Sequence, residues 1–283
     1  MTENAAPTLV ALTAHPDDES LGMGGTLAHY AAAGVEAHVV CATRGQAGRY
    51  RDGTDHPGPD ALGRIREAEL RAAADVLGVR SVTVLDHPDG GLDRQDPHAV
   101  VGDLVAHLRR LRPDVVITFD PFGAYGHPDH IAICQFATAA VAAAHDADVP
   151  GGTPHAVAKL YYMVWPAPTW AAYQATFKKL VSRVDGVERQ AVPWPDWSIT
   201  TSIETGDQWE TVWKAVRCHE SQMLAYGPLG NLTPEHHRGL WGSQHYYRAL
   251  SRVNGGRVHE TDLFAGIEGA GPAAAGAPSR SNA

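Results

Sequence analysis

The chain has 283 residues, of which 44% are hydrophobic and 19% are charged, and its formal net charge is −9. This composition supports a large packed core and excludes global disorder. No block of lysine and arginine occurs, which argues against nucleic acid or an anionic membrane surface as the main partner.

The start of the chain lacks a basic region followed by an apolar run, and no stretch of about 20 apolar residues occurs. We therefore expect neither a signal peptide nor a transmembrane helix. Three cysteines, Cys41, Cys134 and Cys218, are widely spaced. This spacing favours free thiols in a reducing cytoplasm over a disulfide framework.

An acidic turn follows the first predicted strand. The apolar run at residues 8–13 indicates a buried strand, and residues 14–19 (AHPDDE) come before a predicted helix over 20–33 that ends at Gly34. Packing one histidine and three carboxylates into a single turn is electrostatically costly unless a cation compensates the negative charge. Histidine and aspartate are ligands of Zn²⁺ and Fe²⁺, so the turn predicts a metal site.

The next elements alternate between strands and helices. The patterns predict strands over 36–42 and 81–85 and helices over 64–77 and 97–111, with a polar turn at 86–91. The intervening loop, 44–63, is too long for a plain connector and predicts a loop or lid at a site.

A second polar turn repeats the order strand, His-Pro-Asp, helix. Residues 126–130 (GHPDH) follow a predicted strand over 115–119 and open a predicted helix over 131–144, with Pro128 in the first turn. If both strands belong to one parallel sheet, both turns lie at its carboxyl edge and can share one metal.

The remaining chain is less regular. The patterns predict a strand over 157–164, a helix near 168–182, a helix over 209–224, a loop over 231–242 and a final strand or helix over 246–253. The fold class is therefore α/β, a doubly wound, mostly parallel sheet with an elaborated C-terminal part. We expect one catalytic domain over 1–268 (core 8–150, elaboration 151–268) and a disordered tail over 269–283.

The two His-Pro-Asp motifs resemble the PIG-L/LmbE-like family of metal-dependent N-deacetylases, which have a Rossmann-like core. Two shorter matches, Arg66-x-x-Glu69-Leu70 and His219-x-Ser221-Gln222, agree with this resemblance. Family members remove the acetyl group from N-acetylglucosamine-type sugars. Actinobacterial relatives act in mycothiol biosynthesis, and a sister group cleaves mycothiol conjugates.

The resemblance implies a role for each matching residue. It implies His15, Asp18 and His130 as metal ligands, a set that suits Zn²⁺, with Fe²⁺ as the alternative. It implies Asp17 as general base, His127 as the partner of the tetrahedral intermediate, Tyr125 as a donor to the carbonyl, and Arg66 and Asp89 as sugar contacts.

The residues themselves suggest three further interpretations. Asp129 is a candidate carboxylate for orienting His127, which we expect to act as an imidazolium. We interpret Glu19 as a helix-start residue that interacts with the helix dipole. His236 and His237 are interpreted as part of a solvated loop.

These features predict a zinc-dependent, cytoplasmic hydrolase that removes the N-acetyl group from a small N-acetylglucosamine-type sugar or glycoside. Residues 43–49 differ from the acidic stretch of the mycothiol-pathway deacetylase, which leaves the sugar open. Alternatives are an amidase of a mycothiol S-conjugate, a tailoring deacetylase of a secondary metabolite and a non-enzymatic sugar-binding protein. The Gly22-x-Gly24-Gly25 pattern is a weak sign of dinucleotide binding, because the preceding turn is acidic.

The tryptophan-rich stretch leaves a further choice open. Tyr161 to Trp170, together with Trp194 and Trp197, either lines a pocket for a bulky acceptor or packs in the C-terminal part.

Overall fold

A seven-stranded sheet organises the chain. The computed structural model describes residues 6–51, 55–177, 181–184 and 186–268. The strands of this sheet are β1 (Thr8–Thr13), β2 (Glu36–Thr43), β3 (Ser81–His87), β4 (Val115–Phe119), β5 (Lys159–Val164), β8 (Thr201–Glu204) and β9 (Ser243–Ser251). A separate antiparallel hairpin pairs β6 (Val181–Val184) with β7 (Val187–Gln190).

Helices connect these strands. They are α1 (Asp18–Leu21), α2 (Gly24–Ala32), α3 (Pro59–Leu77), α4 (Pro97–Leu111), α5 (Gly123–Gly126), α6 (Pro128–Ala143), α7 (Ala167–Phe177), α8 (Trp209–Cys218), α9 (Met223–Tyr226) and α10 (Pro234–Trp241). Among the described residues, no helix has both the length and the apolar character needed to cross a bilayer.

The first five strands are parallel, and the sheet extends on both sides of β1. β1 pairs with β2 on one side and with β4 on the other, while β3 and β5 extend the two halves. Ligands bind in such sheets at the carboxyl ends of the strands where the growth direction reverses, here between β1 and β4. β9 runs antiparallel to β5 and β8. The predicted mostly parallel α/β sheet is confirmed.

Burial explains why the sequences of the central strands are apolar throughout. Every residue of β1 and β4 is buried, as expected for parallel strands covered by helices on both faces. A smaller cluster that includes Trp170, Val212 and Trp241 forms the interior of the C-terminal part. Trp165 and Tyr125 pack against both clusters. This shared packing supports the single domain over 1–268, which stays a prediction.

Several predicted boundaries were wrong. The first helix is broken at Gly22 and Met23 into α1 and α2, and α3 begins at Pro59, so the long loop is 44–58. β3 continues to His87, which places Asp86 and His87 in the strand rather than in a turn. The α-helix predicted over 209–224 ends at Cys218.

The C-terminal part contains elements that the patterns did not predict. Helix α10 occupies most of the predicted loop 231–242, and the final element is the strand β9. The hairpin β6–β7 and the strand β8 were not predicted. The cysteines are free thiols, with Cys41 and Cys134 buried. The predicted tail over 269–283 lies outside the described residues.

Candidate metal centre and active site

The two His-Pro-Asp turns meet at the carboxyl ends of β1 and β4. His15 Nδ1 lies 3.2 Å from His130 Nε2, which lies 3.2 Å from Asp18 Oδ1. The closest approach of His15 Nδ1 to the Asp18 carboxylate is 3.7 Å, at Oδ2. Ligands about 2.0–2.1 Å from a tetrahedral metal lie roughly 3.3 Å from one another. The separations of His15 Nδ1 from His130 Nε2 and of His130 Nε2 from Asp18 Oδ1 therefore match those of two ligands on one zinc ion, and all three residues are buried.

Local backbone geometry aims these side chains. Asp18 begins α1, and its Oδ2 accepts the backbone N–H groups of Ala14 and His15 at 3.0 and 2.8 Å. Asp17 has φ 111°, a conformation that non-glycine residues adopt only at a cost of about 1–3 kcal/mol. This unusual turn sends the Asp17 and Asp18 side chains in different directions.

Asp17 is held from two sides. Arg66 Nη2 donates to Asp17 Oδ2 at 2.8 Å, and the Tyr226 hydroxyl donates to the same oxygen. Oδ1 is therefore the oxygen left to face a ligand in the cleft. Burial raises the pKa of Asp17 above its ordinary value, while the charge of Arg66 acts in the opposite direction.

The far side of His15 faces two carboxylates. Its Nε2 lies 3.1 Å from Asp129 Oδ2 and 3.2 Å from Asp89 Oδ1. Burial opposes protonation of His15, but its hydrogen bonds to the carboxylates of Asp129 and Asp89 and the charge of Asp18 raise its pKa to about 10. The cluster thus carries an excess of negative charge that favours a cation.

This arrangement corrects the prediction for Asp129. Its carboxylate contacts His15 and accepts the backbone N–H groups of Gly90 and Leu92 at 2.7 and 3.0 Å. Only its backbone N–H reaches His127, donating to Nδ1 at 3.2 Å. The carboxylate of Asp129 therefore orients His15, whereas only the backbone N–H of Asp129 bonds to His127.

The surroundings of His127 favour a neutral ring over the expected imidazolium. Its ring lies 4.8 Å from those of His15 and His130, measured between centroids. Burial, reinforced by repulsion from these two rings, lowers the pKa of His127 to about 3. Because Nδ1 accepts the Asp129 N–H, the remaining proton lies on Nε2, which can donate to a ligand.

Tyr125 lies in a strained turn beside this group. Its ring centroid is 5.4 Å from that of His130. The preceding Ala124 has φ 58° and ψ −80°, and Gly123 and Gly126 also have positive φ. Burial raises the pKa of Tyr125 above its ordinary range, so its hydroxyl keeps a proton to donate.

Arg66 and Asp89 line the cleft but already have protein partners. Arg66 donates to the carbonyls of Gly45 and Pro16 as well as to Asp17. A Cβ on Gly45 would lie 2.3 Å from the guanidinium, so the loop packs directly on this side chain. Asp89 also accepts the Ala47 N–H at 2.8 Å. Their predicted sugar contacts stay predictions.

Sequence reasoning missed the layer behind Asp17. Glu19 lies in the first turn of α1, as predicted, but it is also fully buried and accepts from His219 Nε2 at 2.8 Å. Glu69 accepts both the backbone N–H and the hydroxyl of Ser221 at 2.7 Å. The signal was present, because the two shorter matches supply Glu69, His219 and Ser221. Tyr226 had no such signal.

A cleft of about 590 Å³ opens over the cluster. Residues of the long loop, including Arg49, form part of its wall, as predicted for a site loop. The sequence left undecided whether Trp165, Trp170, Trp194 and Trp197 line a pocket. Of these four, only Trp165 lines this cleft among the described residues. Trp194 bonds to Asp120, and Trp197 is 81% exposed. His237 is buried in an aromatic stack rather than in a solvated loop.

Comparisons with known proteins point to one family. The profile of the PIG-L family, described as GlcNAc-PI de-N-acetylase, matches residues 10–141. A 1D-myo-inositol 2-acetamido-2-deoxy-alpha-D-glucopyranoside deacetylase of Mycolicibacterium smegmatis is 34% identical, over 95% of this chain and 99% of that protein. The Streptomyces avermitilis protein of the same description is 35% identical, over 92% of this chain and 97% of that protein.

A solved structure is also similar. The N,N'-diacetylchitobiose deacetylase of Pyrococcus horikoshii aligns with a TM-score of 0.59 and 25% identity, over 77% of this chain and 71% of that chain.

Proposed function

This chain belongs to the PIG-L family, and from that premise we propose that it is a zinc-dependent hydrolase that removes the N-acetyl group from an amino sugar or its glycoside. The observation that carries the proposal is the convergence of His15 Nδ1, His130 Nε2 and Asp18 Oδ1 beside Asp17. The relatives named above act on an inositol glycoside of N-acetylglucosamine, so a small sugar of this class is the proposed substrate.

The donor set fits the metal. Two imidazoles and one carboxylate are a usual catalytic zinc set, and His130 Nε2 lies 3.2 Å from both His15 Nδ1 and Asp18 Oδ1, which supports this ligand set. The carboxylates of Asp129 and Asp89 would hold the His15 ring in place. When bound, Zn²⁺ would polarise the amide carbonyl and make water nucleophilic near neutral pH.

The protein residues complete the hydrolysis. Asp17 Oδ1 would accept a proton from the attacking water, while Arg66 and Tyr226 keep the carboxylate in place through Oδ2. His127 Nε2–H and the Tyr125 hydroxyl would donate to the carbonyl oxygen as negative charge develops there. The C–N bond then breaks, and the proton held by Asp17 passes to the departing amine.

The test is the release of free amine from a panel of substrates. The panel contains N-acetylglucosamine, its inositol glycoside, N,N'-diacetylchitobiose and a mycothiol conjugate, each assayed with zinc-loaded and chelator-stripped protein. We expect metal-dependent release from an N-acetylglucosamine compound. Release from the mycothiol conjugate alone would make the protein an amidase, and no release with bound metal would contradict the proposed substrate class.

Asp17→Asn tests the proposed base. We expect this variant to keep its metal and to lose turnover by about 10²–10⁴-fold, since general base catalysis contributes that much. Metal content and kcat are measured together, and Asp75→Asn, on the exposed face of α3, is the matched control. Retained turnover in Asp17→Asn would overturn the assignment.

A further inference from the structure

The cleft has two chemically different halves on either side of the metal ligands. The sheet order places the ends of β2 and β3 on one side of the β1–β4 junction and the end of β5 on the other. The half next to β2 and β3 is polar and includes Gly48, Arg49, Asp89 and Gly90. The half next to β5 and α7 includes Met163, Trp165, Tyr173 and Phe177 and is apolar.

A stack of rings builds the apolar half. Trp165 and Tyr173 lie 4.5 Å apart between centroids with an interplanar angle of 20°, and Tyr173 and Phe177 lie 6.1 Å apart at 15°. All three line the cleft together with Met163. The Tyr173 hydroxyl donates to the Leu21 carbonyl at 2.8 Å, so its polar end is already bonded to the protein.

The floor between this wall and the metal ligands depends on a glycine. A Cβ on Gly22 would lie 2.9 Å from Met163 Sδ, so the missing side chain allows the two segments to approach. Gly22 and Met163 both line the cleft, and Gly22 follows Asp18 by four residues. The apolar surface therefore continues from the ring stack to the neighbourhood of Asp18.

We propose that this wall receives the acyl side of the scissile amide, and that the enzyme hydrolyses amino sugars whose N-acyl groups are longer than acetyl. This inference rests on the proposed function. The amine side and the acyl side of an amide centred on the metal extend in opposite directions. Sugar hydroxyls need hydrogen-bond partners, which the polar half supplies, so the acyl group faces the apolar half.

The reaction remains a hydrolysis. Water adds its oxygen to the acyl carbon, the C–N bond breaks, and a carboxylate and a free amino sugar are released. An acetyl methyl group would cover little of the wall, whereas a chain of four to six carbons would cover the rings. Each buried methylene is worth about 0.8 kcal/mol, which corresponds to about a fourfold gain in kcat/KM.

The experiment compares N-acetyl-, N-butanoyl- and N-hexanoylglucosamine with zinc-loaded protein. We expect kcat/KM to rise by about fourfold for each methylene that contacts the wall. A flat or falling series, with the acetyl compound still hydrolysed, would overturn this inference alone. Failure with every compound would instead contradict the proposed function. The octyl glycoside of N-acetylglucosamine is assayed in parallel, and a gain confined to this compound would assign the wall to the aglycone and would also overturn the inference.

Two variants test whether the ring stack causes the preference for longer acyl groups. Phe177→Ser opens the far end of the ring stack, while Trp197→Ser changes an exposed aromatic outside the cleft. We expect Phe177→Ser to lower the hexanoyl-to-acetyl ratio of kcat/KM by about tenfold. Trp197→Ser should keep the wild-type ratio. An unchanged ratio in Phe177→Ser would remove this wall from acyl recognition.

Discussion

His15 is the residue at which the two motifs meet. One ring nitrogen faces Asp18 and His130, and the other faces the carboxylates of Asp129 and Asp89. Carboxylates behind a histidine ligand fix its ring orientation and increase its basicity. Asp89 therefore has two conceivable roles, a support for His15 and the sugar contact implied by the family resemblance, and these roles predict different kinetics.

Asp89→Asn separates the two roles. Loss of the charge beside His15 Nε2 should weaken zinc affinity by about 10–100-fold, the usual effect of removing such a partner. Competition with a chelator measures the affinity, and KM is determined at saturating zinc. Asp93→Asn, on the exposed turn nearby, is the control. An unchanged zinc affinity with an increased KM would favour the sugar contact.

Part of the site could be predicted from the sequence, and part could not. Spacing was sufficient to bring His15, Asp18 and His130 together, because parallel strands end at a common edge. Spacing could not tell which histidine the Asp129 carboxylate contacts, since that depends on the side-chain direction in the first turn of α6. Tyr226 reaches Asp17 across 209 residues, and no local pattern predicts such a contact.

At the scale of elements, the parallel core was predictable and the C-terminal part was not. Strands such as β1 and β4 are fully buried and therefore apolar throughout. The hairpin β6–β7 has few buried positions, so it lacks the alternation that identifies a strand. Helix α10 did carry a signal, because Thr233 and Pro234 form an N-cap followed by proline at the first helical position.

The N-cap of α10 supports a prediction about stability. The Thr233 hydroxyl accepts the His236 N–H, so Thr233→Ala should lower the free energy of unfolding by about 1 kcal/mol. Urea denaturation measures the change, and kcat/KM should stay at the wild-type value because α10 does not line the main cleft. Thr153→Ala, in an exposed turn, is the control. Equal denaturation midpoints for both variants would show that this cap contributes nothing.

At the scale of the whole molecule, residues of the C-terminal part reach the site that the two His-Pro-Asp turns form. The family inferred from two short motifs is confirmed by relatives that align over nearly the whole chain. The C-terminal part contributes to the site through His219, Tyr226 and Trp165. The segment that follows β9 is anchored to the sheet by Glu260, which is buried.

Glu260 gives a pH-dependent prediction for the whole fold. Its carboxylate accepts from Lys159 Nζ and Arg248 Nη1 at 2.7 Å, and also from the hydroxyl of Tyr161. Burial alone would raise the pKa of Glu260, but hydrogen bonds from Lys159, Tyr161 and Asn254 and the charge of Lys159 lower it below its ordinary value. A carboxylate with a lowered pKa stabilises the folded state above its unfolded pKa, about 4.3, and this contribution is lost as the pH falls.

Glu260→Gln should therefore destabilise the protein by about 3–5 kcal/mol near pH 6.5, because Lys159 and Arg248 would stay buried without their counter-charge. The difference from wild type should hold down to about pH 5 and should shrink below about pH 4, where the wild-type carboxylate takes up its proton. Urea denaturation of chelator-stripped protein at several pH values measures this difference without a contribution from bound metal. A difference that stayed constant across the acid range would show that Glu260 anchors the sheet by shape and hydrogen bonding rather than by charge.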